Sequence, residues 1–254
     1  MYIRYWVKNF FLIVYPSGYH RNLQSFHDPN YVHKRDKHTV RNKHHGEGGW
    51  DEEKKEGIRY RDYASYEEYV THQKQKFNEM LKVKGGFTKL TIVRYRLMFY
   101  QRFRILKEYI SKSAHILCAG ARQGTEVEVL HDLGYNKAYG IDLNPGPENK
   151  FVREGDFMHL ENADSSLDMI YSNCIDHAFD LDAFFKEHAR VLKPDGFVLY
   201  DIAIQDKGGG PFEAVEWESD DIIFLMMLKY FKTVVKVSTT KSWKCVLLQG
   251  KKIA

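Results

Sequence analysis

The sequence predicts an α/β protein: a largely parallel sheet with an antiparallel strand near the C-terminus, preceded by an N-terminal helical extension. Three observations predict it. From residue 114, short apolar runs ("HILCAG", "AYGIDL", "FVREGD", "DMIYSN", "GFVLYDIA") alternate with helical stretches or brief loops, the pattern of βαβ units. The first run ends in a glycine-punctuated turn, "AGARQG", that opens a helix. The last two runs, "TVVKVST" and "WKCVLLQGK", have only "TKS" between them. They read as a hairpin, so one strand must run against its neighbours.

The chain has 254 residues, 43% of them hydrophobic and 28% charged. That suits one large α/β domain with an extension. A net charge of +4 is too mild to require an anionic partner or to exclude one. Cys118, Cys174 and Cys245 sit in apolar runs without metal-ligand spacing. They read as buried, reduced thiols in a cytoplasmic setting. "FFLIVY" at residues 10 to 15 is far short of the ~20 apolar residues that span a bilayer. It suits packing on its own domain or peripheral contact with a membrane or partner.

Residues 1–60 read as an aromatic and basic extension, partly irregular. Six of the twelve histidines lie between His20 and His45, but their spacings match no metal site, and a polar surface segment is the plainer reading. Residues 61–112 read as a helical cap. Ser65 with Glu68 forms a capping-box signature. Tyr66, Tyr69, Val70, Phe77, Met80 and Leu81 follow at helical spacing, and Gly85-Gly86 ends the run. A second helix over 88–110 carries an apolar stripe of Leu90, Val93, Leu97, Tyr100, Phe103, Leu106 and Ile110. Arg94, Arg96, Arg102, Arg104 and Lys107 make it basic. Its arginine stems can cover apolar surface while their heads stay in water; a nucleic acid or acidic lipid is the alternative partner.

Residues 113–254 carry the predicted ligand site. In open α/β sheets, ligands bind beyond the carboxyl ends of the strands. Asp142 ends the second run, 22 residues past Gly120, where a carboxylate suits a ribose diol. Asp156 ends the third, where it could accept from an exocyclic adenine amine. Gly120 and Gly124 enclose Ala121, Arg122 and Gln123. An arginine there would crowd a pyrophosphate, which disfavours a dinucleotide.

With "ILCAGARQG", "GIDLN", "EGDF", "SLDMIYSNCIDHAFD" and "ARVLKPDGFVLY" in this order, residues 114 to about 250 resemble the class I S-adenosylmethionine-dependent methyltransferases. The resemblance implies a doubly wound sheet of seven strands, one of them antiparallel, and S-adenosylmethionine as cofactor. It implies that Gly120, Ala121, Arg122 and Gly124 form the loop against the methionine part. Asp142 would then hold the ribose hydroxyls and Asp156 the adenine amine, with Leu143, Gly155 and Phe157 also at the cofactor. Ser172, Asn173 and Cys174 would line the channel beneath the methyl group. Two departures stand out. Cys118 replaces an acidic residue, so the cofactor's amino group needs another partner. Arg122 replaces a glycine and reads either as a partner for the cofactor's carboxylate or as a solvent-facing arginine.

The candidate catalytic residues are His177 and Asp176. A hydroxyl acceptor benefits from a general base. His177 could take the proton with Asp176 or Asp180 orienting it, or simply pack beside the cofactor. Asp201, Glu213 and Glu216 fall where acceptor pockets form in the family, and the glycine-rich 207–219 reads as a mobile lid. A metal between Asp176 and Asp201 lacks an identifiable third ligand, so none is expected.

The stretch "YASYEEYVTHQKQKF" resembles segments of bacterial methyltransferases that act on sugars or surface polysaccharides. A sugar, glycan or other small-molecule hydroxyl is therefore the expected acceptor. An RNA methyltransferase using the basic helix is the alternative, although "SNCID" stands in place of the Pro-Pro pattern of many base-amine enzymes. A non-catalytic scaffold is the second alternative.

Overall fold

A computed structural model describes residues 49–50, 56–82, 89–146, 149–203, 211–239 and 243–252. Residues 1–48 (with "FFLIVY" and the histidine cluster), Gly85-Gly86, residues 207–210 and the "TKS" link lie outside the described residues. So do the side chains of Phe77, Met80, Leu81 and Leu90.

The elements in chain order are β1 (Ile58–Tyr60), α1 (Tyr66–Lys82), α2 (Lys89–Phe103), β2 (Ile116–Ala119), α3 (Thr125–Asp132), β3 (Tyr139–Asp142) and β4 (Val152–Glu154). They continue with β5 (Leu167–Ser172), α4 (Leu181–Val191), β6 (Leu192–Ala203), β7 (Val215–Trp217), α5 (Asp220–Tyr230), β8 (Phe231–Thr239) and β9 (Trp243–Lys251). Seven strands form one sheet in the order β4-β3-β2-β5-β6-β9-β8. The pairs from β4 to β6 are parallel, and β9 runs antiparallel to both β6 and β8. The short link makes β8 and β9 an antiparallel hairpin, and its second strand is the one that lies against β6. The strand order reverses at β2, which places a crevice beyond the carboxyl ends of β2 and β5.

Both faces of the sheet are covered, and the two-residue period of its strands sorts the side chains accordingly. Cys118, Tyr171, Leu199, Cys245 and Leu247 join a buried layer with Phe99 and Phe103 of α2 and Val127 and Leu130 of α3. Leu117, Ile170, Val198, Tyr200 and Val246 face the other way, against Phe184 and Phe185 of α4 and Met227 of α5. Helix α4 buries Leu181, Phe184, Phe185, His188 and Val191, one helical stripe. Asp180 caps it through Ala183 N–H at 2.9 Å, so this carboxylate does not orient His177. No helix among the described residues is long and apolar enough to cross a membrane.

The N-terminal helices depart from the expected pattern in two ways. The α1 cap forms, with Glu68 N–H donating to Ser65 Oγ at 3.2 Å. The reciprocal bond reaches Ala64 N–H at 2.6 Å, one residue upstream of the usual partner. The buried face of α2 is rotated from the apolar stripe: Val93, Arg96, Phe99, Arg102 and Phe103 are buried, whereas Leu97 and Tyr100 are only partly so. The reason is electrostatic. Arg96 donates to Glu128 Oε2 at 2.6 Å and to Asp132, both on α3, and Arg102 pairs with Asp201 of β6. Of the five cations expected to make this helix a basic platform, only Arg94, Arg104 and Lys107 are exposed. The helix stops at Phe103 and gives way to a 3-10 turn at Leu106–Glu108.

A second, two-stranded sheet pairs β1 with β7, and Arg59 meets Glu216 at 2.7 Å within it. Strand β1 lies at the boundary drawn at residue 60 and ties the extension to the domain. The described part of the expected lid, from Pro211, is therefore pinned rather than loose.

Two stability predictions follow. Arg96 is fully buried, while its carboxylate partners keep 28% and 21% of their surface. Arg96→Met should cost about 2 kcal/mol in urea unfolding, less than the ~3–5 kcal/mol of a fully buried broken pair. His188 is buried against the Tyr200 hydroxyl at 2.8 Å, and burial pushes its imidazole down to about 3. The unfolded chain binds that proton near its ordinary value of ~6.5. Stability from the neutral ring should be complete above this value and fall by ~1.4 kcal/mol per unit as pH drops toward the folded value. Unfolding curves for His188→Phe should show a shallower acid limb.

Candidate active site

The turn after β2 is held by its backbone. Gly120 and Ala121 N–H groups both donate to Ile141 O, at 3.0 and 2.9 Å, and Gly124 N–H donates to Ala121 O at 2.7 Å. Gly120 and Gly124 have φ of 77° and 79°, and Arg122 between them has φ 47°. The arginine tolerates the left-handed conformation because its main chain is tied on both sides. Arg122 N–H donates to Asp142 Oδ2 at 2.9 Å, and Asn149 Nδ2 donates to Arg122 O at 3.3 Å. Asp142 takes a second amide, from Asn144 at 2.9 Å on Oδ1, so its carboxylate is held in one orientation.

Beyond the strand ends lies a cleft in two adjoining halves, about 490 and 910 Å³ of empty space. Both are bordered by Lys76, Gly120, Arg122, Cys174 and His177. The first half adds Asp142, Leu143, Phe157 and residues of α1; the second adds Ala121, Glu126, Asn173, Asp176, Glu213 and the aromatic Tyr95, Phe99 and Trp243.

Helix α1 forms one wall of the cleft. Tyr66, Tyr69, Gln73 and Lys76 recur on one helical face and reach, in turn, Asp156, His177 O, Phe212 O and the His177 ring. Lys76 Nζ lies 2.5 Å from His177 Nε2. On the far side of the ring, Nδ1 lies 2.7 Å from Phe212 O. A carbonyl only accepts, so Nδ1 carries the proton and Nε2 offers its lone pair to Lys76. Burial pushes the imidazole well below its ordinary value, and the neighbouring Lys76 adds to this. Burial likewise holds Lys76 below the ordinary lysine range, aided by the Arg122 guanidinium. Burial also pushes Asp176 up to about 6 and Cys174 up to about 12.

Seven of the expected cofactor residues border the cleft: Gly120, Ala121, Arg122, Asp142, Leu143, Phe157 and Asn173. Four do not. Gly124 caps α3, where a Cβ would come within 2.8 Å of Val152. Gly155 packs on Ile141. Ser172 turns inward, donating to Ala119 O at 3.0 Å and accepting from Cys174 N–H at 3.2 Å, so it ties two strand ends together. Asp156 accepts from Met158 N–H at 2.8 Å and from the Tyr66 hydroxyl.

Of the acids expected near the acceptor, only Glu213 borders the cleft. The backbone brings it there, since Ala214 N–H donates to Asp176 O at 2.8 Å and Arg61 Nε donates to Glu213 O at 2.9 Å. Asp201 lies within β6, not after it, and accepts from Tyr171 at 2.9 Å beside Arg102. It cannot join Asp176 at a metal, because its charge is neutralised in the sheet layer below. Ligand atoms of Asp176, His177 and Glu213 do lie within 4.8 Å of one another, but Lys76 Nζ already contacts that histidine.

Lys76 and Glu126 were not among the expected residues. The signal for Lys76 was a polar run, Tyr69-Gln73-Lys76, within the stripe of α1. For Glu126 it was an acid in the first turn after a glycine loop.

Residues 117–200 match the family model described as a methyltransferase domain. No curated protein matches the chain by sequence. Among solved structures, the fold is similar to the PH0226 protein of Pyrococcus horikoshii OT3, with 20% identity, 68% of this chain and 99% of that one covered, and a TM-score of 0.54. It is also similar to 1,6-didemethyltoxoflavin-N1-methyltransferase of Burkholderia thailandensis, at 15% identity, 78% and 97% coverage and a TM-score of 0.56. Geranyl diphosphate C-methyltransferase of Streptomyces coelicolor A3(2) gives 12% identity, 75% and 100% coverage and a TM-score of 0.55.

The loop geometry yields a paired test. A Cβ at Gly120 would meet Cys174 Sγ at 2.8 Å in addition to the positive φ, whereas at Gly134 (φ 92°) the nearest atom is Lys112 Cδ at 3.7 Å. Gly134→Ala should cost the ~1–2 kcal/mol of a left-handed residue. Gly120→Ala should cost more, as read by thermal or urea unfolding. Equal costs would mean the Cys174 contact imposes nothing.

Proposed function

We propose that this chain, whose residues 117–200 match a methyltransferase domain model, is a class I methyltransferase that uses S-adenosylmethionine to methylate a hydroxyl of a sugar, glycan intermediate or other small molecule. The observation that carries the hydroxyl reading is the 2.5 Å contact between Lys76 and His177 at the junction of the two cleft halves.

The chain's residues fit the cofactor. Asp142 presents a carboxylate fixed by two backbone amides, and each oxygen keeps acceptor capacity for a ribose hydroxyl. Leu143 and Phe157 offer apolar walls for a base in the same half. Arg122 borders both halves, and its guanidinium suits the α-carboxylate. Bound in the cleft, S-adenosylmethionine would supply an electrophilic methyl group in line with the acceptor oxygen, the C–S bond breaking as the O–C bond forms and S-adenosylhomocysteine leaving as a neutral thioether.

The hydroxyl must lose its proton as it attacks. His177, oriented by Phe212 O, holds its Nε2 lone pair toward Lys76. The lowered affinity of Lys76 for protons leaves a larger share of it neutral. A neutral Nζ donates one hydrogen to Nε2 and keeps a lone pair for the acceptor's proton. The ammonium formed is favoured by the nearby Asp176 and Glu213 charges. Lys76 is thus assigned as the base and His177 as the residue that positions it; Asp176 compensates the charge. Helix α1 covers this region and limits water.

Tyr95, Phe99 and Trp243 border the half that holds Asp176 and Glu213, and such aromatic faces suit the C–H faces of a sugar ring. The RNA alternative loses support because Arg96 and Arg102 are committed to internal carboxylates.

Incubation with labelled S-adenosylmethionine and fractionated cell extract should place label in saccharide or small-molecule fractions. Label confined to RNA would overturn the acceptor class. With an acceptor in hand, Lys76→Met should lower kcat by at least ~100-fold at unchanged cofactor affinity. The wild-type rate should rise with pH as Lys76 deprotonates, and the variant should lose that limb. A variant of undiminished turnover would exclude Lys76 as the base.

A further inference from the structure

Glu126 is buried, with 6% of its surface exposed, and it borders the half of the cleft that contains Gly120, Ala121 and Asn173. It stands in the first turn of α3, and among the described residues no other side chain hydrogen-bonds or ion-pairs with it. Its own backbone amide is the hydrogen-bond donor it has. The charged groups that act on it are Arg122, which favours the carboxylate, and Asp142 and Glu128, which oppose it. On the sheet side it faces Cys118 and Tyr171, a thiol and a phenol that stay neutral in the apolar layer. A carboxyl group this deep is costly to ionise without a cation beside it. Burial accordingly pushes it up to about 8.

We propose that Glu126 receives the α-ammonium group of the cofactor, a role that rests on the S-adenosylmethionine site described above. The cofactor has two cationic centres. The sulfonium has no N–H or O–H to donate, while the ammonium has three donors, so the ammonium is the one a buried carboxylate can both neutralise and hydrogen-bond. The placement agrees. Asp142 lies in one half of the cleft, and Glu126 lies across Gly120 in the other, where the amino-acid end of a cofactor with its ribose at Asp142 would extend. Strand β2 has no acid of its own at this end, since position 118 is a buried cysteine. Binding would convert a protonated carboxyl into a carboxylate, so a proton must leave as the ammonium arrives.

Calorimetry with S-adenosylhomocysteine and with 5′-methylthioadenosine, which lacks the amino-acid end, tests this on wild type and Glu126→Gln. Measurements in buffers of differing ionisation enthalpy report the protons released. Wild type should release close to one proton on binding S-adenosylhomocysteine near pH 7, and its affinity should rise with pH and level off at about 8. Glu126→Gln should bind S-adenosylhomocysteine about ten- to hundredfold more weakly, release no such proton, and keep wild-type affinity for 5′-methylthioadenosine. Equal affinity of both proteins for S-adenosylhomocysteine, or a parallel loss of both ligands in the variant, would overturn the assignment. If wild type bound neither compound, the cofactor site itself would be wrong and this role would fall with it.

Discussion

Strands β2, β5, β6 and β9 send alternate side chains into two apolar layers, so a charge enters either layer only with its counter-charge. Asp201 shows the constraint at work. It lies in the middle of the sheet and is tolerated because Arg102 of α2 reaches it and Tyr171 donates to it. That demand fixes where α2 can lie. Arg96, earlier on the same helix, is then carried onto α3 between Glu128 and Asp132. Two buried arginines therefore set the register of the helical cap against the domain, and the apolar side chains of α2 pack around that arrangement. Buried ion pairs add little net stability when compared with apolar replacements; their effect here is to select one docking among several similar apolar ones.

With both faces closed, polar chemistry is left to the strand ends, and α1 completes a site there that the sheet alone leaves open. Its four contacts go to three different parts of the domain: Asp156 after β4, the backbone and ring of His177, and Phe212 O ahead of β7. Each is a hydrogen bond from a long or aromatic side chain to a fixed acceptor. The helix is thus positioned by the same groups it helps to bury. Lys76 gains its altered basicity from this closure: burial lowers its affinity for protons, and the Arg122 guanidinium on the loop facing α1 lowers it further.

The legible part of the sequence was the part in which neighbours in sequence are neighbours in function. The strand alternation, the glycine turn and Asp142 at the end of β3 all lie within one βαβ unit, where spacing alone locates them. The misread residues depend on contacts the chain makes far away. Ser172 sits at a strand end, as a cleft residue should, but its hydroxyl finds Ala119 O and turns inward. Asp201 looked like a residue beyond a strand because β6 continues to Ala203. Arg96 looked solvent-bound because its partners are more than thirty positions away. Lys76 meets its histidine 101 residues on, and no local pattern announces such a pairing.

Arg122 combines both kinds of information. A non-glycine residue at φ 47° carries a strain of ~1–2 kcal/mol, which a loop would shed by placing glycine there unless something offset it. The Arg122 N–H to Asp142 bond and the Asn149 to Arg122 O bond are such offsets, and they are main-chain bonds that glycine could make equally well. The backbone therefore explains how an arginine is tolerated but not what the side chain contributes. That contribution lies in where it stands, on the border of both cleft halves and within electrostatic reach of Lys76, His177 and Glu126. One guanidinium there lowers the proton affinity of the lysine and histidine and favours the charged form of the carboxylate, so a single residue of the loop acts electrostatically on buried ionisable groups in both halves of the cleft.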